Sequence, residues 1–160
     1  METNTPITIA LNMKKLARDN IIFTIVLLIL FVIGNALIHQ RFEGNFSLWD
    51  ILLIFIGYCI LIILHEAFHL IGFMLFGKIK YKELDYGVNW ELGVAYATTK
   101  KPLKNAAMKK ALLLPFWTTG IIPTIIGFSI DSFILVILGA LLIAGAIGDF
   151  YMYKELKQVE

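Results

Sequence analysis

Four long apolar stretches, parted by short polar connections and one amphipathic insert, organise the chain. They cover roughly Ile21–Ile38, Leu48–Phe76, Ala106–Phe128 and Ser132–Tyr153. Each reaches the ~20 residues that a helix needs to cross a ~30 Å hydrocarbon core. The second is longer than that, so it must tilt or protrude. The insert, about 79–99, reads differently. Leu92, Val94, Tyr96 and Thr98 alternate with Gly93, Ala95, Ala97 and Thr99, a period of two that predicts a strand with one small-residue face. The segment Ile79–Tyr86 alternates more loosely, and Gly87 follows it as a turn candidate. The expected fold is an all-α polytopic membrane protein of about four transmembrane helices, with a small β-hairpin between the second and third. Residues 1–160 read as a single membrane-embedded domain.

Composition agrees with this. The chain is 59% hydrophobic and 16% charged, with a mean hydropathy of +0.79, whereas soluble domains carry about 25% charged residues. Cys59 is the only cysteine, which excludes a disulfide within the chain and a cysteine-rich metal site. The first apolar run is long enough to span, and no small-residue cleavage site follows it, so it reads as a retained helix. The placement of charge carries more than the net value of +2. Lys14, Lys15 and Arg18 precede the first span. Lys78, Lys80, Lys82, Lys100, Lys101, Lys104, Lys109 and Lys110 lie between the second and third, and Lys154 and Lys157 end the fourth. Only Arg41 falls on the opposite side. The positive-inside rule therefore puts both termini in the cytoplasm of a multi-pass protein of the cell membrane. The same lysines suit an anionic lipid surface.

The second span contains His65-Glu66-Ala67-Phe68-His69. Histidines four apart share one helix face and can grip a single zinc ion, with the adjacent glutamate free to take a proton from water. An ionisable residue inside hydrocarbon is costly and marks function by default. Catalytic zinc usually takes three protein ligands. Of the acidic residues, only Glu66 and Asp149 fall deep in apolar spans. His65 lies 17 residues beyond Leu48, and Asp149 lies 17 beyond Ser132. Both spans run inward, so both groups sit ~26 Å down. Ala140, Ala144 and Gly148 form a small stripe beside Asp149 that would let a neighbouring helix approach. Glu83, Asp85 and Glu91 in the hairpin are rival ligands. Span three contains Pro115 and Pro123, which free the carbonyls of Ala111 and Thr119. Thr118 and Thr119 lie between them and can satisfy freed backbone groups. The resulting bend would either admit water or substrate or be an ordinary proline kink.

The His-Glu-x-x-His string, Gly77, the hairpin around Tyr96, Leu114-Pro115 and Gly148-Asp149-Phe150-Tyr151 resemble the bacterial membrane family known as "putative zincin peptidase". That family is similar to the intramembrane site-2 protease class, whose third ligand belongs to a Leu-Asp-Gly motif. Gly148-Asp149-Phe150 stands here instead, and no Asn-x-x-Pro partner is evident in span three. The resemblance covers about residues 48–153. It implies a membrane-embedded zinc peptidase and matches Asp149 to the third ligand.

The expected function is zinc-dependent hydrolysis of a peptide bond in a membrane-associated protein. Zn2+ would be held by His65, His69 and Asp149, with Glu66 as the catalytic base. A helical substrate must open before it is cut. The strand at Leu92–Thr99 could hold it by strand addition, with Gly93, Ala95 and Ala97 allowing approach. Expected partners are a membrane protein or peptide substrate and the lipid bilayer, with no nucleic acid. Two other classes use the same residues: a zinc-binding adaptor or regulator without turnover, and a small transporter subunit relaying ions or protons through His65, Glu66 and Asp149.

Overall fold

The computed structural model describes residues 11–42, 47–90 and 94–158. Among the described residues, four helical spans are long and apolar enough to cross a membrane, as expected of a polytopic membrane protein. Helix α1 is Met13–His39 and α2 is Leu48–Gly77. The third span is composite: α3 (Asn105–Pro115), a π-helical turn (Phe116–Ile121) and α4 (Ile122–Ser129). The fourth consists of α5 (Phe133–Gly145) and α6 (Ile147–Gln158), interrupted at Ala146.

Local chemistry sets these limits. The Asn12 side chain accepts the Lys15 N–H and starts α1 earlier than hydropathy alone suggests. Ser47 and Asp50 form a reciprocal capping box at the start of α2. Nothing interrupts α2 for 30 residues until Lys78 turns left-handed, with φ 54°. That length is ~45 Å, well beyond the hydrocarbon core.

The α5 helix is the central post. Val136, Leu138, Ala140, Leu142, Ile143 and Ala144 are buried on it, and α1, α2, α4 and the π-helical turn all pack around it. By contrast, α1 and α2 turn large apolar side chains outward, among them Ile29 at 54% exposure and Phe55 at 64%. A continuous apolar surface of this kind belongs against lipid.

The insert is a two-stranded antiparallel hairpin, β1 (Leu84–Asn89) and β2 (Val94–Thr99), in register from Leu84 opposite Thr99 to Asn89 opposite Val94. Gly87 is not its turn. It lies inside β1 opposite Tyr96, whose ring atoms come within 3.3–3.4 Å of where a Gly87 Cβ would stand. The aromatic side chain covers the glycine, so the strand continues. The connection falls between Asn89 and Val94, and the expected strand residues Leu92 and Gly93 lie outside the described residues. Leu84 at the hairpin base packs with Phe73, Ile79 and Ala111, fixing the sheet beside the motif end of α2.

Candidate metal centre

The site forms where α2, α3, the π-helical turn and α6 meet. Helical spacing puts His65 and His69 on one face of α2, with ring centroids 5.0 Å apart. That face is brought against α3 by small residues. A Cβ on Gly72 would stand 2.8 Å from Ala111 Cα, so only glycine permits this approach. The stripe expected to do this work lies elsewhere. The nearest atom to a Cβ on Gly148 would be Leu16 of α1, at 4.0 Å, and Ala144 offers its carbonyl to Asn20 of α1 at 2.9 Å.

Asp149 stands in the first turn of α6, where a carboxylate suits the positive end of the helix dipole. Its Oδ2 is 3.1 Å from His65 Nε2, and its Oδ1 is 3.2 Å from His69 Nε2. The matched depths read from the sequence thus correspond to direct contact. The three side chains are 10%, 7% and 14% exposed. Glu66 is half-buried, and the ligand atoms of His65, Glu66 and His69 lie within 4.8 Å of one another.

The far side of each imidazole decides what the near side can do. His69 Nδ1 is 3.2 Å from the Ala111 carbonyl, which can only accept, so Nδ1 carries the proton. His65 Nδ1 is 3.1 Å from Thr119 Oγ1, and Thr119 donates its own hydroxyl proton to the Pro115 carbonyl at 2.8 Å. Thr119 therefore accepts from His65, whose Nδ1 is the donor as well. With both imidazoles neutral, both Nε2 lone pairs then face the Asp149 carboxylate. Three acceptors converging in a buried space call for a cation between them. The spacing suits zinc: tetrahedral ligands ~2.0–2.1 Å from the ion stand about 3.4 Å apart.

The rival carboxylates are committed elsewhere or remote. Glu83 pairs with Lys101 Nζ at 2.6 Å and accepts from the Lys80 N–H. The hydrogen bond from Lys101, followed by that from the Lys80 backbone, holds its carboxyl below the usual range. Asp85 is exposed on β1, and Glu91 lies outside the described residues. Of the residues expected to bind substrate, Ala95 and Ala97 are half-buried on β2, which packs against α2. Gly93 lies outside the described residues. Asn105 donates to the Leu156 carbonyl at 2.7 Å and joins α3 to α6.

Thr119 and the Ala111 carbonyl were not expected to touch the histidines. The sequence did carry one signal, since Pro115 deprives the Ala111 carbonyl of its helical donor. Which group would take that carbonyl depended on how α2 packs.

No curated protein and no solved structure matches the chain. A family profile matches residues 58–160, which take in the motif helix from Tyr58 onward, the hairpin and the last two spans. The chain therefore belongs to the family described as "Putative zincin peptidase", and zinc is the metal that this membership implies.

Proposed function

We propose that this protein is an intramembrane zinc peptidase that hydrolyses a peptide bond in a membrane-associated protein substrate. One observation carries the reading: two Nε2 atoms and a carboxylate converge at 3.1 and 3.2 Å, while both Nδ1 positions are already spent. His65, His69 and Asp149 hold the metal. When bound, zinc supplies a Lewis acid that polarises the scissile carbonyl and makes water acidic enough to ionise near neutral pH.

The chain's own residues do the rest. Glu66 follows His65 directly and stands within reach of the same space. It takes a proton from the attacking water and passes it to the leaving amine as the carbon–nitrogen bond breaks. The helices around the site limit access of bulk water. β2 runs beside the motif helix, and its small residues Ala95 and Ala97 would let an extended substrate strand approach. The distribution of basic residues supports an orientation with both termini and the hairpin on the cytoplasmic side of the cell membrane.

The test is Glu66→Gln, which keeps size and hydrogen bonding but removes the base. Zinc content should stay at the wild-type level. Cleavage of a membrane-anchored substrate in proteoliposomes should fall at least ~100-fold, the lower range for general acid–base catalysis. Cleavage at the wild-type rate would refute Glu66 as the base. An adaptor predicts zinc without cleavage in the wild type, and a proton or ion relay predicts no bound zinc.

A further inference from the structure

We propose that the Pro115–Thr119 turn is the positioning element of the metal site, setting both imidazoles with Nε2 toward Asp149. This rests on the reading of His65, His69 and Asp149 as ligands. The turn accounts for both outer contacts of the histidines: Thr119 makes one, and Pro115 frees the Ala111 carbonyl of α3 for the other. Pro115, with no N–H, cannot donate to the Ala111 carbonyl four residues earlier. That carbonyl is left to accept from His69 Nδ1 at 3.2 Å. The backbone then continues as the π-helical turn Phe116–Ile121. The change of winding shifts the side chains that follow relative to an α-helix. Thr119 sits on this turn at 1% exposure. Its proton goes to the Pro115 carbonyl at 2.8 Å, and its lone pair meets His65 Nδ1 at 3.1 Å. A hydroxyl that was free to rotate could donate to His65 and turn the wrong tautomer to the metal. The Pro115 carbonyl removes that freedom.

Neighbouring residues hold the turn in place. Pro115 is fully buried, and Gly120 lies against Ile143 of α5, where a Cβ would stand 3.0 Å from Ile143 Cγ1. Phe116 meets Phe150, the residue after Asp149, with ring centroids 4.9 Å apart. The same short segment therefore touches both ligand-bearing helices. Thr118 provides an internal control. It is adjacent in sequence, but its hydroxyl goes to the Leu114 carbonyl at 3.0 Å and to no histidine.

The experiment is zinc titration of metal-stripped protein in detergent against a chromophoric chelator, with thermal melting of each variant. Thr119→Val keeps the volume and loses the acceptor. It should weaken zinc binding by about 10-fold or more, the usual range for outer contacts of a metal ligand. Thr119→Ser keeps the acceptor and should stay near the wild type, as should Thr118→Val. Pro115→Ala gives the Ala111 carbonyl a backbone donor that competes with His69. It should also weaken zinc by about 10-fold, although alanine favours the helix. Folded Thr119→Val and Pro115→Ala proteins that bind zinc as tightly as the wild type would overturn the inference and leave the peptidase reading standing. Equal weakening in Thr118→Val would overturn it too, because packing alone would then account for the effect. A wild type that takes up no zinc would refute both. Should Thr119→Val fail to fold, Pro115→Ala decides.

Discussion

Among the described residues, histidine–aspartate clusters stand before and after α5, and the first holds an arginine. Ahead of α5, Asp131 accepts from Asn35 at 3.0 Å and pairs with Arg41 at 2.5 Å. His39 gives its Nε2–H to the Phe128 carbonyl at 2.8 Å and stands 3.8 Å from Asp131. Beyond α5, the groups that meet Asp149 are the two imidazoles, at 3.1 and 3.2 Å. The residue types are alike, and the difference lies in which ring nitrogen meets a carbonyl. In the Asp131 cluster a backbone carbonyl takes Nε2, and arginine neutralises the carboxylate. In the Asp149 cluster a carbonyl and a hydroxyl take the Nδ1 positions, so the Nε2 lone pairs and the carboxylate face one another. The first is a closed tie between α1 and the α4–α5 connection. The second offers its donors to a metal, as the proposed function requires.

The comparison can be broken most forcefully at the helix contact beneath the metal centre. Gly72→Ala puts a methyl group against Ala111 backbone and must push α3 away from α2. Overpacking of this kind costs about 1–3 kcal/mol. Because the shift also parts His69 from the Ala111 carbonyl, zinc content should fall together with the melting temperature. Normal zinc in a folded Gly72→Ala protein would show that the close approach does not build the site.

Arg41→Gln should act on the other cluster only. The arginine side chain is 55% exposed, and solvent-screened pairs of that kind add little to stability. A small drop in melting temperature with unchanged zinc is expected. Loss of zinc in this variant would join the two clusters and end the contrast.

The smallest effect is on pH dependence. Burial pushes the Asp131 carboxyl up, but the hydrogen bond from Asn35 and the charges of Arg41 and His39 outweigh it and hold the group below its ordinary value. A carboxyl depressed in the folded state contributes stability above its unfolded pKa, ~3.9. That contribution disappears as pH falls through the lower folded value. Melting temperature should therefore drop below about pH 4 more steeply in the wild type than in Asp131→Asn. Parallel profiles would remove Asp131 from the account.

Much of this was legible in the sequence because the bilayer imposes it. Apolar length gave the four spans, and the cost of burying Glu66 and the histidines marked the site. Counting residues inward gives Asp149 the same depth as His65, and the structure adds the lateral contact at 3.1 Å. Other features depend on contacts that no local pattern encodes. The meeting of Gly72 with Ala111 joins two spans, and neither residue's sequence neighbourhood names the other. The interruption at Ala146 falls in a run of Ala and Gly that reads as uniform helix. Gly87 was misplaced as a turn because Tyr96, which covers it, is its cross-strand partner only in the folded register. The prolines were read as freeing two carbonyls. That one of these meets His69 depends on the helix packing.

The central claim is that the Asp149 cluster, and not the Asp131 cluster, takes zinc. The most direct measurement is zinc per chain by mass spectrometry in detergent-purified wild type, Asp131→Ala, Asp149→Ala and the His65→Ala, His69→Ala double variant. About one zinc per chain is expected in the wild type and in Asp131→Ala. Zinc should fall well below that in Asp149→Ala and be absent from the histidine double variant. Full zinc retained in the double variant would contradict the account.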